Sequence, residues 1–467
     1  MADVCIIYSR HNREIVRKLA AILSARWTLW WDDMIVGKFA EAIERELPQA
    51  KCVVPIWSST SRDSDMVRDE LALAKASRIP LVPASIEECR PPYGYGSYSS
   101  VDLRGWDGGQ DHPGLEQLLR RIAAVVPPRT KPMRPPDLAK GKVPLPAIFL
   151  SVSSHETQLV PVEAVRALRL FRAPTILVSA YDLAPKRRPK GMARELALFR
   201  EQGGFVLVDS GNYEASRLGD KSWRPRALRA ALAGIPHDWA FCFDVMKPSA
   251  DPLVSANQIV AAVERDHLVT GAPVLPIIHL PKIGRGRHDL ENIPAVVRTV
   301  SSRLQPPLVA IPERELGAGL IARAQTVRRI REELNKLPFY QPIHLLGTGN
   351  PWSIAVLAAA GADTFDGLEW CRVVVDRSTG RLHHFQHFDF FAYQARVAES
   401  AVTVGAMGDE KIDFAGKVAF HNLDFYAEFE NSLRISAARN GIEALVAGML
   451  GQANTKQLAG QMPELFQ

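Results

Sequence analysis

Short apolar runs and stretches of helical apolar spacing alternate along nearly the whole chain. In the first 126 residues, β-like runs at Val4–Ser9, Trp27–Trp31, Lys51–Ser58, Ile79–Ile86 and Val101–Trp106 are separated by Asn12–Ser24, Lys38–Leu47, Ser64–Ala76 and Leu115–Val125, where apolar residues recur at helical spacing. This rhythm predicts a parallel sheet with helices on both faces, an open α/β domain of flavodoxin-like kind over 1–126. It stops at Val126–Pro146, which holds Pro127, Pro128, Pro132, Pro135, Pro136, Pro144 and Pro146 among lysines and arginines. Proline lacks an amide donor and restricts its backbone, so 127–146 is expected to be an interdomain linker without interior helix or strand.

The alternation restarts after the prolines. Candidate strands are Ala147–Val152, Thr175–Tyr181, Phe205–Asp209, Trp239–Asp244, Val274–His279, Leu308–Pro312, Ile343–Gly347 and Thr364–Leu368. Eight such strands, with helices such as Val162–Phe171, Pro225–Ala233, Ala256–His267, Leu320–Leu334 and Trp352–Ala360 between them, predict a (β/α)8 barrel over 147–400. Pro225 suits a first helical position, where its missing amide has no partner to lose. A mainly helical extension is expected over 401–467, with its clearest helical segment from about Leu423.

Composition narrows the class without changing this picture. A chain of 467 residues exceeds one core, and 47% hydrophobic with 23% charged residues describes a globular protein. A net charge of +6 permits a polyanionic partner without requiring one. The cysteines Cys5, Cys52, Cys89, Cys242 and Cys371 lie far apart, in or beside apolar runs, and are expected as buried thiols. No basic segment leads into an apolar one at the start, and no apolar run reaches the ~18 residues that cross a bilayer. The expectation is a reduced, cytoplasmic protein without membrane contact.

Chemistry is suggested by aspartates at strand ends. Asp209 lies in Val-Asp-Ser-Gly-Asn-Tyr (208–213), Asp244 closes Phe-Cys-Phe-Asp (241–244), and Asp366 lies in Thr-Phe-Asp-Gly-Leu-Glu-Trp-Cys-Arg (364–372). One such aspartate is ordinarily a turn or helix-capping residue. Three at strand ends of one barrel would converge on one rim, where barrels carry catalytic groups.

Residues 2–126 resemble bacterial TIR domains, in Val-Cys-Ile-Ile-Tyr-Ser-Arg-His-Asn (4–12), Trp-Trp-Asp-Asp (30–33), Gly-Lys-Phe (37–39), Val-Val-Pro-Ile-Trp-Ser (53–58) and Ser-Asp-Met-Val-Arg-Asp-Glu-Leu (64–71). The resemblance implies an NAD glycohydrolase that takes NAD as substrate and cleaves its nicotinamide–ribose bond with Glu70. A carboxylate suits an oxocarbenium-like ribose. Tyr8, Ser9 and Arg10, with Trp31 and Met66, are the implied NAD-binding residues, under a flap at Met34–Ala40. Met66 stands where many family members carry tryptophan.

Residues 147–435 resemble tRNA-guanine transglycosylases. Val208–Tyr213 is similar to that family's Asp-Ser-Gly-Gly-Phe/Tyr element, Phe241–Asp244 to its base-recognition strand, and His344–Pro351 with Gly361–Asp366 to its last barrel unit; Phe420–Tyr426 resembles the helix start beyond the barrel. The resemblance implies Asp366 as nucleophile on the ribose anomeric carbon, Asp209 as general acid/base and base contact, and Asp244, with Ser210 and His279, as guanine-binding residues. The chain departs from the family at His279-Leu-Pro, where Gln-Gly-Gly is usual, and at Ile311–Gly319, which replaces a glycine-rich base loop. The Cys-x-Cys-x-x-Cys cluster of the family's structural zinc is missing, which leaves His421 without thiolate partners, and no zinc is expected. His383, His384 and His387 are flanked by Phe385 and Phe388, which suggests a partly buried strand or loop rather than a metal site.

Together these resemblances imply a two-part, defence-type (anti-phage) effector. The barrel would recognise or exchange guanine or 7-deazaguanine in tRNA or DNA, and the TIR domain would consume NAD. Two alternatives stand beside it: a base-exchange enzyme whose TIR domain is an assembly module, and a pair of non-enzymatic binding modules. Basic segments at Lys186–Lys190 and Lys282–His288 are candidate phosphate contacts, and the TIR domain and C-terminal helices are candidate homo-oligomer surfaces.

Overall fold

The computed structural model describes all residues except 1, 25, 32–38, 110–111, 129–131, 269, 399 and 467. It divides into two compact units, Met1–Pro136 and Asp137–Gln467.

In the first unit, β1 (Val4–Ile7), β2 (Leu29–Trp30), β3 (Cys52–Trp57), β4 (Ala84–Ser85) and β5 (Val101–Asp102) form a parallel sheet in the order β2-β1-β3-β4-β5. The β1 side chains alternate across it. Val4, Ile6 and Tyr8 join the core that holds Val16 and Leu19 of helix Arg13–Ser24 and Leu118 of helix Pro113–Val125. Cys5 and Ile7 join the opposite core, with Val67 and Leu71 of helix Asp65–Ala76. Both faces are buried, as the apolar runs require.

The second half of the proline-rich stretch corrects the linker expectation. β6 (Asp137–Leu138) and β7 (Val143–Pro144) pair as an antiparallel hairpin inside 127–146. Val143 and Leu145 are buried with Phe149, Phe205, Trp239 and Leu308, so the hairpin plugs the amino-terminal end of the barrel. Pro144 is tolerated because a two-residue strand at an edge has few amides to pair.

The barrel strands are β8 (Ala147–Val152), β9 (Thr175–Ser179), β10 (Phe205–Asp209), β11 (Trp239–Phe241) and β12 (Val274–Leu275). A hairpin of β13 (Lys282–Gly284) and β14 (Arg287–His288) intervenes before β15 (Val309–Pro312), β16 (Ile343–Leu346) and β17 (Thr364–Gly367). The eight parallel strands run β12-β11-β10-β9-β8-β17-β16-β15. The Ile278 amide donates to Ala310 O at 2.8 Å and the Ala310 amide to Pro276 O at 3.0 Å, which joins the two ends of the ring. Strand β12 is shorter than expected because Pro276 interrupts the ladder with no amide to give.

Beyond the barrel, β18 (Val374–Val375) and β19 (Leu382–His383) form a small hairpin, and helix Phe414–Ala438 packs back on the barrel. Asn422 accepts from the Val375 amide at 2.9 Å and donates to Trp370 O and Val373 O at 3.0 and 2.7 Å. One and two turns on, Tyr426 donates to Gly349 O at 2.7 Å, and Glu430 accepts from the Ile148 amide at 3.0 Å. Four buried cysteines match the expectation; Cys89 is only half-buried. No helix among the described residues is long and apolar enough to cross a membrane.

At the amino-terminal end, Asp363 accepts from Arg331 at 2.6 Å, Tyr340 at 2.6 Å and the Ile343 amide at 2.8 Å. Arg331 also donates to Gly361 O and Gln341 O. Both ion-pair partners are buried, so removing one leaves a charge in low dielectric. Arg331→Met is expected to cost about 3–5 kcal/mol in urea denaturation, and adding Asp363→Leu should restore much of it. A loss under about 1 kcal/mol for the single change would show that the pair does not hold this end together.

Candidate functional site

The carboxyl ends of the barrel strands bring the predicted aspartates together. Asp366 is near the end of β17 and only 7% exposed. Its Oδ2 accepts from the Ser151 hydroxyl and its Oδ1 from the Gly347 amide, both at 2.8 Å, so neighbouring strands fix its orientation. His344 Nε2 lies 3.3 Å from Asp366 Oδ1 without aligned hydrogen-bond geometry, while His344 Nδ1 bonds Thr364 Oγ1 at 2.8 Å.

Asp209 ends β10 and accepts from the Gly211 amide at 3.2 Å. Gly211 has φ 74°, and a Cβ there would lie 2.6 Å from the Tyr181 amide, so this tight turn takes glycine. Burial, followed by the charges of Glu214 and Asp244 and finally that of Asp366, pushes the Asp209 carboxyl well above the ordinary range. A carboxyl held protonated can donate a proton, while Asp366 faces the same space.

Asp244 follows β11. Its Oδ1 accepts from the Asn212 side-chain Nδ2 and its Oδ2 lies 2.7 Å from His279 Nε2. His279 Nδ1 lies 2.9 Å from Glu315 Oε1, and Glu315 Oε2 accepts from the Leu280 amide at 2.9 Å. All three ionisable side chains are buried. Burial opposes the charged imidazole, but hydrogen bonds and charge from Asp244 and Glu315 outweigh it and push His279 up to about 10. The same contacts overcome burial to hold Asp244 and Glu315 below their ordinary values. Ser210 sits beside them; its carbonyl accepts from Trp223 Nε1 at 3.0 Å.

Several members of this site escaped the sequence reading. Glu214 is buried beside Asp209 and accepts from Ser153 at 2.8 Å; burial raises its carboxyl despite that bond. Asp182 accepts from the Ser154 amide and hydroxyl at 2.7 and 2.5 Å, and is likewise raised by burial. Glu369 accepts from Arg372 at 2.6 Å. A glutamate in a short helix after a turn carries no local mark of facing inward. Glu315 was visible only as part of an altered loop.

Other expected groups have structural partners. Arg187 pairs with Asp220 at 2.6 Å and Arg188 donates to Leu183 O, whereas Lys282–Gly284 is exposed. His421 is buried, bonds Val375 O at 2.8 Å, and is held below its ordinary value chiefly by burial. His383 packs on Phe391, and His384 and His387 stand ring to ring at 5.7 Å. Among the described residues, no three His, Cys, Asp or Glu side chains group to hold a metal.

In the first unit, Glu70 faces β1 from helix Asp65–Ala76, close enough that its charge, after burial, raises the Cys5 thiol. Met66, one turn earlier, is 45% exposed. Tyr8 and Trp31 pack ring to ring at 6.1 Å on the other face of the sheet. Ser9 is buried with Oγ 3.3 Å from His11 Nδ1, and Arg10 opens the exposed turn that follows. Of the expected flap Met34–Ala40, residues 34–38 lie outside the described residues and Phe39–Ala40 begin helix Phe39–Glu46.

Comparison with known proteins agrees with the division. The TIR domain family model matches residues 4–119. The tRNA-guanine(15) transglycosylase of Archaeoglobus fulgidus is 22% identical over 331 residues, covering 68% of this chain and 66% of that protein. Proteins of the same description from Methanopyrus kandleri (23% over 242 residues, 48% of each chain) and Pyrococcus furiosus (23% over 270 residues, 53% of this chain and 42% of that one) are also similar. The chain thus spans less than two thirds of the length of these relatives. The match at residues 4–119 and the similarity to transglycosylases over about two thirds of the chain are consistent with a TIR domain fused to a transglycosylase-like domain.

The Glu315–His279–Asp244 chain yields a pH prediction. His279 is raised, so its contribution is complete below about 6.5 and is lost as pH climbs to about 10. The carboxylates are lowered, so theirs is present above the usual carboxylate range and lost in acid. Relative to a neutral triple variant (H279Q, D244N, E315Q), the parent should lose up to about 1.4 kcal/mol per pH unit between pH 6.5 and 10 in urea denaturation. Equal gaps at both ends of that range would mean that the carboxylates do not hold His279 charged.

Proposed function

We propose that the barrel recognises or exchanges guanine or 7-deazaguanine in tRNA or DNA, and that the TIR domain hydrolyses NAD through Glu70 as an effector in anti-phage defence. The observation that supports the first half is the convergence of Asp366, Asp209 and Asp244 at one mouth. There the charges of Asp366 and Asp244 both act on Asp209. In this reading Asp366 Oδ attacks the ribose anomeric carbon as the bond to guanine breaks, and Asp209 delivers a proton to the departing base. The incoming base gives up its proton to Asp209 and displaces Asp366, so the nucleic acid ends with one base replaced and both carboxyls restored.

The TIR half is supported by Glu70 facing β1 from its helix. Its carboxylate would stabilise the ribosyl cation as nicotinamide leaves, with water completing hydrolysis. Nucleic acid at the barrel would be the signal and NAD the substrate consumed in response.

Two measurements test these halves separately. Asp366→Asn should abolish any covalent adduct and all incorporation of labelled guanine, while nucleic-acid binding survives, since phosphate contacts carry most affinity. Incorporation at the parent rate would remove Asp366 from the chemistry. Glu70→Gln should lower NAD hydrolysis by about 100-fold or more, measured with tRNA, single-stranded DNA and double-stranded DNA present in turn. A parent protein that leaves NAD intact with every one of them is not an NAD-consuming effector.

A further inference from the structure

Asp244 is enclosed more completely than a base-reading carboxylate needs to be. Asn212 donates to Oδ1 and His279 holds Oδ2 at 2.7 Å. Both His279 ring nitrogens are engaged by carboxylates, since Nδ1 lies 2.9 Å from Glu315. His279 therefore has no ring nitrogen left for a base. Asn212 stands where the similar family motif has its second glycine, and His279 where that family usually has glutamine. Both departures converge on one side chain, and the donors come from two different strand ends.

We propose that His279 and Asn212 are positioning residues that clamp Asp244 as a fixed anion, so that this chain, and not a direct contact from His279, sets base selectivity in the pocket. The inference rests on the base-exchange reading above and deepens it. Each oxygen of a carboxylate can accept more than one hydrogen bond. Asp244 thus keeps acceptor capacity for a base that offers two adjacent N–H donors, the arrangement of guanine and 7-deazaguanine, and offers no donor to a base that presents an acceptor there. The clamp also keeps the anion from turning away or taking up a proton in a buried pocket. The charged or titratable groups around it are Asp209 on β10, whose carboxyl also feels Asp366 on β17, the Cys242 thiol just after β11, and Glu315 after β15, on which the charge of His288 on β14 acts.

Without the imidazolium, burial would be opposed only by the hydrogen bonds from Asn212 and Ser210, and the balance at Asp244 would move toward its protonated form. The test is calorimetric binding of free 7-deazaguanine to the full-length protein between pH 5 and 8, with adenine as control. Neither the raised His279 nor the base's own N1–H loses its proton in this window, and any titration of Asp209 is common to parent and variant. The parent should bind with the steeper preference for 7-deazaguanine and with a pH profile that His279→Gln does not share. His279→Gln should weaken binding at pH 5–6, by about tenfold per pH unit below the new Asp244 value, with affinity recovering toward pH 8. Asn212→Gly should reduce discrimination against adenine while leaving the pH profile of the parent unchanged. The two variants should unfold at urea concentrations that show an intact barrel before they are assayed. A parent that binds 7-deazaguanine with the same pH profile and selectivity as His279→Gln overturns the clamp but not the base-exchange reading. A parent that binds no base overturns the base-exchange reading, and the clamp's role in selectivity with it.

Discussion

The constraint on which the barrel site depends is the gathering of carboxylates in a space with little water. Asp366, Asp209, Asp244, Glu214, Glu315 and Asp182 all lie at the carboxyl ends of the strands, and burial penalises every negative charge there. The structure answers in two ways. Asp209, Glu214 and Asp182 are pushed toward their protonated forms. Asp244 and Glu315 keep their charge because His279 is held between them. The mouth is therefore divided into carboxyls raised toward protonation and carboxyls held low beside His279, which is the kind of division that acid–base chemistry requires.

That division needs a rigid ring. The cross-contacts at Pro276–Ile278 and Ala310 join β12 to β15, and Val143 and Leu145 fill the opposite end. Asp363 and Arg331 tie β16, β17 and the preceding helix together below the site. On the outer side, Asn422, Tyr426 and Glu430 project from one face of a long helix and bond backbone groups of the barrel and its β18 extension. His421 belongs to the same grip through Val375 O. Hydrogen bonds from one helix thus secure the segment between Trp370 and Val375.

Much of this was legible in the chain. Continuous apolar runs and period-3.6 patterns located the strands and helices of both units, because burial on both faces of a parallel sheet writes a continuous apolar run for each strand. Asp209 and Asp366 were visible because each directly follows such a run. The linker was half-read: proline content announced an irregular segment, but the two-residue strands of its hairpin are too short to leave any period, and their burial under the barrel is a property of the closed ring.

The sequence by itself determined two α/β units, their order, the places of the strands, and the absence of a cysteine cluster, since each depends on local pattern or composition. Only the tertiary structure decided which charges meet. Asp244, His279 and Glu315 come from three strand ends 35 and 36 residues apart, and no local pattern records that their side chains share one pocket. The same holds for Glu214 beside Asp209, and for Tyr8 and Glu70 on opposite faces of one sheet. Protonation states follow from burial and neighbours in space, and those exist only once the ring has closed.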